Sequence, residues 1–550
     1  MISATWDWLW EKHDQVKDLF RFFVKTEETI ENNKKKNPGV TEGGYGGNGK
    51  GSKRPYTSAQ LTGLILGPLL FLITLLFVAP EGLSKEGVGV LASTIWIAVW
   101  WMTEAIPIPA TSLLPIILFP LTNGLDLSAT TSAYGNETIF LFLGGFVLAL
   151  AMERWNLHRR IAINIISVMG TNTDRIVLGF MVATGFLSMW ISNTATAMMM
   201  VPIGLAIIYQ VSDSLKSNPS IDTSKGNFGF GKSLMLGIAY SASLGGMATL
   251  IGTPPNAILA GTVRELYGYD ISFASWMLFG VPFAWISIII AWIYLTKLAF
   301  PMKQLKSLPG GREIFEEEKR KLGKASYEEK AVFIIFVLTA LAWITRTFIL
   351  NKINPNIDDT LIAILAALIL FLIPAKSGKA SHLMDWNAAV KLPWGILLLF
   401  GGGLAIAAGF TASGLSEWIG AQLTGLQGVH IIILILSVTA LVTFLTEITS
   451  NTATATMMFP IMAALALAVD VHPFVLMIAA ALAASCAFML PVATPPNAVV
   501  FGSGYLRIPD MAKVGFFLNI IAIILITITV YVLVPLFLGM DANSFPEVFR

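Results

Sequence analysis

The sequence predicts an all-α polytopic membrane protein made of two related halves. Three observations predict it. The first is composition: of 550 residues, 55% are hydrophobic and only 13% charged, with a mean hydropathy of +0.71, and a soluble domain carries about twice that charged fraction. The second is run length. Leu61 to Ala79, Trp276 to Leu295 and Val514 to Leu538 are each apolar for long enough to cross a hydrocarbon core, which takes roughly 20 helical residues. About ten to twelve such segments are expected along the chain. They are continuous rather than alternating, which excludes a β-barrel. The third is an internal repeat: "SNTATAMMMVPI" from Ser192 to Ile203 recurs as "SNTATATMMFPI" from Ser450 to Ile461, with ten of twelve positions identical.

Residues 1–55 form a segment of their own. Residues 1–30 show no cleavable-signal pattern, and Trp6, Leu9, Trp10, Val16, Phe20, Phe23 and Val24 interleaved with charges read as an amphipathic helix at the membrane surface. A linker follows, with seven glycines among the thirteen residues from Gly39 to Gly51, too glycine-rich to build a core. Lys34, Lys35, Lys36, Lys50, Lys53 and Arg54 precede the first span, which by the positive-inside tendency puts the N-terminus in the cytoplasm. Residues 56–300 then form the first transmembrane repeat. Residues 301–330 form a charged connecting arm, with eight Lys/Arg against six Glu, and residues 331–550 form the second repeat. The repeats correspond at three places in the same order. "FLGGF" at Phe142–Phe146 answers "LFGGGL" at Leu399–Leu404, SNTAT answers SNTAT, and "GTPPNA" at Gly252–Ala257 answers "ATPPNA" at Ala493–Ala498. Ser192 and Thr253 are 61 residues apart, against 44 for Ser450 and Thr494, and a polar loop from Gln210 to Lys232 accounts for the excess. Internal duplication is characteristic of secondary transporters, whose sites lie between the halves near the midplane. The spacing alone leaves inverted and parallel repeats open.

The duplicated motifs are helix breakers. Ser192–Thr194 lie in the middle of a 34-residue apolar block, Ile176 to Tyr209, and Ser, Asn and Thr side chains compete for the backbone hydrogen bonds of a helix. The tandem prolines of TPPN remove two N–H donors and push the preceding residue out of the α region. Broken backbone survives at membrane depth only when it is buried in protein or lines a wet cavity. There it offers carbonyls and hydroxyls to a small cation such as Na⁺, and helix N-termini to an anion. Two copies suggest two facing half-sites, which suits a substrate with two anionic ends.

With these residues in view, the chain resembles the divalent anion/Na⁺ symporter family, whose members transport dicarboxylates, citrate or sulfate. The resemblance covers nearly all of residues 56–545. It rests on both SNT motifs, both TPPN loops, the glycine-rich segments and "WWMTEAIPIPATSLLP" at Trp100–Pro115. It implies inverted repeats, a homodimer in the plasma membrane, and in each protomer a scaffold with a transport domain that moves as an elevator. Re-entrant hairpins would lie near Glu137–Arg154 and Trp394–Glu417. Substrate carboxylates would meet Asn193, Thr194, Asn451 and Thr452, with Thr253, Pro254, Thr494 and Pro495 closing the site. One Na⁺ site would use Ser188, Ser192, Asn193 and the Gly252 carbonyl; the other, Thr446, Ser450, Asn451 and the Ala493 carbonyl. The implied activity is Na⁺-coupled symport of C4/C5 dicarboxylates such as succinate, malate, fumarate or 2-oxoglutarate. Na⁺-independent dicarboxylate exchange, or carriage of citrate or sulfate, is the alternative, because the family includes cation-independent exchangers and the motifs do not decide.

The remaining signals point elsewhere weakly. "GNFGFGKS" at Gly226–Ser233 fits a phosphate-loop pattern but lacks the strand before it and the soluble helix after it, so it reads as coincidence. Glu104 and Glu447 fall within or beside apolar spans, where a carboxylate is a functional suspect. Glu447, one helical turn before Ser450, is expected either to tune a cation site or to make a structural hydrogen bond. His158, His382, His430 and His472 have no metal-ligand spacing, the lone Cys486 excludes an internal disulfide framework, and Met198–Met200 read as packing. Neither HExxH nor a Ser/His/Asp set occurs, so no enzyme, resident cofactor or nucleic-acid partner is expected. A channel is disfavoured by a binding site in each half, and a proton antiporter by the lack of a buried Asp or Lys pair.

Overall fold

The computed structural model describes residues 56–170, 172–215, 222–302 and 311–549. The amphipathic segment and the Gly-rich linker lie outside them. The described residues hold nine helices long and apolar enough to cross a membrane, and four shorter apolar ones, Ile108–Leu121, Asp359–Leu372, Ile431–Thr446 and Pro473–Ala484. Their exposed residues are large and apolar, among them Leu76, Phe77, Leu338, Leu368 and Leu536, as lipid-facing positions must be.

The first span, Ser58–Phe77, starts at what is here termed the near face. Lys85–Thr103 returns to it, Ile108–Leu121 crosses again and Glu137–Arg154 comes back. Leu157–Val168 lies along the near face, where Arg160 pairs with Glu329 at the start of Tyr327–Thr345. The chain then folds into a hairpin of Thr173–Ser188 and Asn193–Ser214. Its first arm runs parallel to Gly229–Gly246, with Met181 against Gly237 and Gly185 against Gly245; its second arm runs back, from Asn193 beside Gly246 to Gly204 beside Met235. Only glycine allows this closeness: a Cβ on Gly245 would lie 2.3 Å from the Gly185 carbonyl oxygen. Pro254–Tyr267 continues from the break to the far face, and Phe273–Ile293 recrosses.

After the arm helix Gly311–Leu322, the second half runs upside down. Trp394–Ala412 crosses to the far face, where Ser84 donates to the Ser413 carbonyl at 3.2 Å. The second hairpin, Ile431–Thr446 and Asn451–Ala468, therefore enters from the far face, opposite to the first. Pro473–Ala484 reaches the midplane from that side, and Pro495–Gly502 leaves it toward the near face. The repeats are inverted, as the resemblance implies.

Two expectations need correction. Glu137–Arg154 is one unbroken helix and Trp394–Ala412 another, so the hairpins are not there; they bend at the SNT motifs themselves. The glycines in the expected segments serve packing instead, with Gly144 against Ala363 and Gly402 against Ser112. The polar loop placed at Gln210–Lys232 is also shorter, because helix extends to Ser214 and resumes at Gly229.

Candidate functional site

Four helices begin at one place in the membrane interior. Asn193–Ser214 starts at the first SNT, capped by Ser192 Oγ, which accepts from the Ala195 N–H at 3.2 Å. Asn451–Ala468 starts at the second SNT, and Pro254–Tyr267 and Pro495–Gly502 start at the two TPPN loops. Each start leaves N–H groups unused by the helix, and the positive ends of four dipoles converge. Between them is a cavity of about 1180 Å³ lined by Asn193, Thr194, Thr253 and Pro254 from one half and Asn451, Thr452, Thr494 and Pro495 from the other. All eight residues expected around the substrate thus share one cavity. It reaches the near face past Gln60, Met102, Glu104, Glu153 and Lys391.

The residues expected around the cations form two matching sets. Ser188 Oγ lies 2.5 Å from Asn193 Oδ1 and 2.7 Å from the Ala242 carbonyl oxygen. Thr446 Oγ1 lies 2.8 Å from Asn451 Oδ1 and 2.9 Å from the Ala484 carbonyl oxygen. In each set one hydroxyl proton faces two acceptor oxygens, an amide and a carbonyl, so a concentration of oxygen atoms arises without any formal charge. Ser188 and Thr446 are fully buried behind the cavity wall, whereas Ser192, Gly252, Ser450 and Ala493 line it. A Cβ on Gly246 would sit 2.6 Å from Asn193 Oδ1 and 3.1 Å from the Gly252 carbonyl oxygen. Glycine there keeps open a cradle between two of the expected ligands. A set of neutral hydroxyl, amide and carbonyl oxygens at unwound helix ends suits a monovalent cation.

Several residues of the site escaped the sequence reading. Asn256 and Asn497, the last residues of the TPPN motifs, are fully buried. Asn256 Nδ2 donates to the carbonyls of Thr249 at 2.7 Å, Gly246 at 3.3 Å and Met247 at 3.4 Å. Asn497 Nδ2 donates to those of Leu490 and Ala487, both at 3.0 Å. Each asparagine ties the loop that breaks its helix. The signal was present, since the asparagine is duplicated with the prolines, but a motif does not say which backbone its amide meets. Gly246 carried no signal of its own.

Glu447 makes structural hydrogen bonds. It is buried, and its Oε1 accepts from the N–H groups of Phe488 at 2.7 Å and Met489 at 2.9 Å and from Asn519 Nδ2 at 2.7 Å, while Oε2 accepts from Leu490 N–H at 3.2 Å. One carboxylate thus collects the donors freed where Pro473–Ala484 ends, and Glu447 also lines the cavity beside Ser450. Glu104 is exposed, caps Lys85–Thr103 in a left-handed conformation with φ 47°, and also lines the cavity. The phosphate-loop-like stretch has another explanation: Lys232 pairs with Asp510 at 2.8 Å. Among the described residues, no group of His, Cys, Asp and Glu is placed to hold a metal ion.

Residues 58–538 match the family described as the sodium:sulfate symporter transmembrane region. Sodium-dependent dicarboxylate transporters named SdcS, from Staphylococcus aureus strains USA300 and MRSA252, are each 54% identical over 495 residues, covering 90% of this chain and 94% of theirs. Two solved structures share the fold at low identity. The Neisseria gonorrhoeae MtrF structure, described with a class of antimetabolite efflux pumps, aligns with TM-score 0.52 and 14% identity over 87% of this chain and 96% of its own. The Alcanivorax borkumensis YdaH transporter aligns with TM-score 0.53 and 13% identity over 81% and 98%. The duplicated SNT and TPPN motifs, the inverted hairpins they terminate and the match across nearly every described span lead to one assignment: the chain is a member of the sodium:sulfate symporter, or divalent anion/Na⁺ symporter, family of membrane transporters.

Proposed function

We propose that the protein is a secondary active carrier of C4/C5 dicarboxylates in the plasma membrane, driven by Na⁺ symport. The observation that carries the Na⁺ reading is the pair of oxygen sets at Ser188–Asn193–Ala242 and Thr446–Asn451–Ala484, each with one hydroxyl proton facing two acceptor oxygens. A bound Na⁺ relieves the oxygen–oxygen repulsion there. The relatives named as sodium-dependent dicarboxylate transporters support the same reading. The proposed Na⁺ ligands are Ser188, Ser192, Asn193 and the Gly252 carbonyl in one half, and Thr446, Ser450, Asn451 and the Ala493 carbonyl in the other. The substrate carboxylates meet the Asn193–Thr194 and Asn451–Thr452 amides and hydroxyls at helix N-termini, with Thr253, Pro254, Thr494 and Pro495 closing around them. Neither motif copy supplies a cationic side chain, so anion binding rests on dipoles, N–H groups and the co-bound cations.

The near face carries Arg154, Arg159, Arg160, Lys376, Lys379 and Lys391, which supports placing it, the cavity mouth and the N-terminus in the cytoplasm. Transport then requires the site to be exposed on the far face by an elevator movement of the hairpins and TPPN helices, in each protomer of a homodimer. Purified protein in proteoliposomes, given labelled succinate, tests the coupling. An inward Na⁺ gradient should drive uptake into substrate-free vesicles, and replacing Na⁺ with choline should abolish it. Uptake that ignores Na⁺ and needs preloaded dicarboxylate would replace symport by exchange.

A further inference from the structure

Among the described residues, those that line the cavity lie at the level of the helix breaks or toward the near face, and a chain of charges stands on the far side of the site. Glu137, at the far end of the helix whose near end carries Glu153 of the cavity mouth, is ion-paired with Arg264. Arg264 lies 3.7 Å from Asp270, Asp270 2.8 Å from Arg346, and Arg346 3.2 Å from Asp359. Asp359 also accepts from the Phe273 N–H at 2.7 Å, and Thr360 Oγ1 donates to the Glu137 carbonyl at 3.1 Å. Arg346 and Asp359 are each 6% exposed, whereas Arg264, Glu137 and Asp270 are 33–46% exposed, so the cluster is buried at one end and open to solvent at the other.

The cluster joins two sets of elements. Glu137, Arg346 and Asp359 belong to Glu137–Arg154, to the end of the crossing that starts at Tyr327 and to Asp359–Leu372; the first and last pack together at Gly144 and Ala363. Arg264 belongs to an element that carries the site, and Asp270 and Phe273 to the connection and the helix that follow it. Arg264 lies near the end of Pro254–Tyr267, whose first residue lines the cavity; its 14 residues span about 21 Å as a rigid rod. A stack of rings connects the same two sets nearer the site. Trp343 lies on Phe273 at 4.5 Å, Phe273 on Trp190 at 6.0 Å, and Trp190 meets Phe336 at 5.0 Å edge-on. Trp190 sits in the hairpin turn, two residues before Ser192.

We infer that the ionic chain Glu137–Arg264–Asp270–Arg346–Asp359 is a latch that seals the far face and biases the unliganded carrier toward the conformation open at the near face. The inference rests on the transport reading, because only a protein that exposes its site alternately must break this contact. Among the described residues, the near-face ion pairs Arg154–Asp385, Arg160–Glu329, Lys232–Asp510 and Lys297–Asp174 do not join these two sets of elements. The second-half helix that corresponds to Pro254–Tyr267 is Pro495–Gly502, and beyond it Arg507 bonds Asn227 at 3.1 Å, on the loop leading into Gly229–Gly246. That helix packs with the site-bearing elements, so the contact can travel with them. The asymmetry makes the latch a one-sided restraint.

The test uses the full chain with single introduced cysteines, Met102→Cys at the mouth or Ile271→Cys beside Asp270. Met102 is 43% exposed and Ile271 3%. Native Cys486 is fully buried, so a membrane-impermeant maleimide reports the introduced thiol. Without Na⁺ or substrate, Arg264→Gln and Asp270→Asn should each speed labelling of the Ile271→Cys thiol by about two- to fivefold, the population change expected from losing one partly exposed ion pair. Labelling at Met102→Cys, a property of the major conformation, should stay within about a factor of two. Unchanged labelling at Ile271→Cys in both charge variants, or equal acceleration at both positions, would overturn the latch. Succinate uptake by the parent protein, measured in the same vesicles, separates the two ideas: uptake with unchanged labelling removes the latch alone, and no uptake under Na⁺ or exchange conditions removes the transport reading.

Discussion

Gly246 and the four motif asparagines set the chemistry of the site atom by atom. Gly246→Ala places a methyl group between Asn193 Oδ1 and the Gly252 carbonyl, so Na⁺ binding to the first half should weaken at least about tenfold, roughly 1.4 kcal/mol. Na⁺-dependent thermal stabilisation of the detergent-solubilised protein measures this without transport, and an unchanged Na⁺ titration would reject the cradle. Asn193→Ala and Asn451→Ala remove one member of each oxygen set and should each abolish or strongly weaken uptake while the protein stays monodisperse. Asn256 and Asn497 act behind them. Replacing either by Ala leaves buried carbonyls without a donor, at about 1–3 kcal/mol, and should lower Tm before it alters substrate preference. The sequence marked Asn193 and Asn451 because helix-breaking polar residues in an apolar block announce themselves. It left Asn256 and Asn497 unassigned because a buried amide's role depends on which carbonyls the fold brings within reach.

At the scale of elements, the hairpins show what a sequence specifies and what it leaves open. Breaks at Ser192–Thr194 and at the TPPN loops were legible, because serine, threonine and proline act on their own backbone. The positions of the re-entrant elements were not, because glycine-rich stretches such as Phe142–Phe146 serve equally for a turn or for close helix packing, and only the facing Ala363 decides. Orientation was hidden for a similar reason: order along the chain is the same for parallel and inverted copies. Two elements carry testable loads. Glu447 gathers four donors where Pro473–Ala484 ends, and Glu447→Gln turns an acceptor toward those N–H groups into a competing donor. It should cost about 3 kcal/mol or more, read as a fall in Tm. At the start of the same helix, His472 packs against Phe474 and Phe549, and its Nδ1 accepts from the Phe474 N–H at 3.3 Å. Burial pushes its pKa down to about 4, below the ordinary value near 6.5. The folded state therefore holds the ring neutral, so its contribution is complete above about pH 6.5 and is lost as pH falls toward 4. Tm should drop across that window, and His472→Gln should flatten the dependence.

The described residues form a pair of inverted halves around one cavity, and a glycine-rich stretch of sequence precedes them. Deleting residues 2–50 should leave uptake in liposomes largely intact, since a stretch with seven glycines in thirteen residues is expected by composition to decouple what precedes it; a folded deletion protein without uptake would make that segment part of the carrier. The opposite entry of the two hairpins has a consequence for membrane insertion. A half-length chain that pairs with an inverted copy of itself has to insert in both senses, so its flanking charges must favour neither. A covalent connection between the halves removes that requirement and leaves each free to differ from the other. The halves differ at matched positions of the site itself: Glu447 stands where the first half has Met189, and Ala487 where it has Gly246.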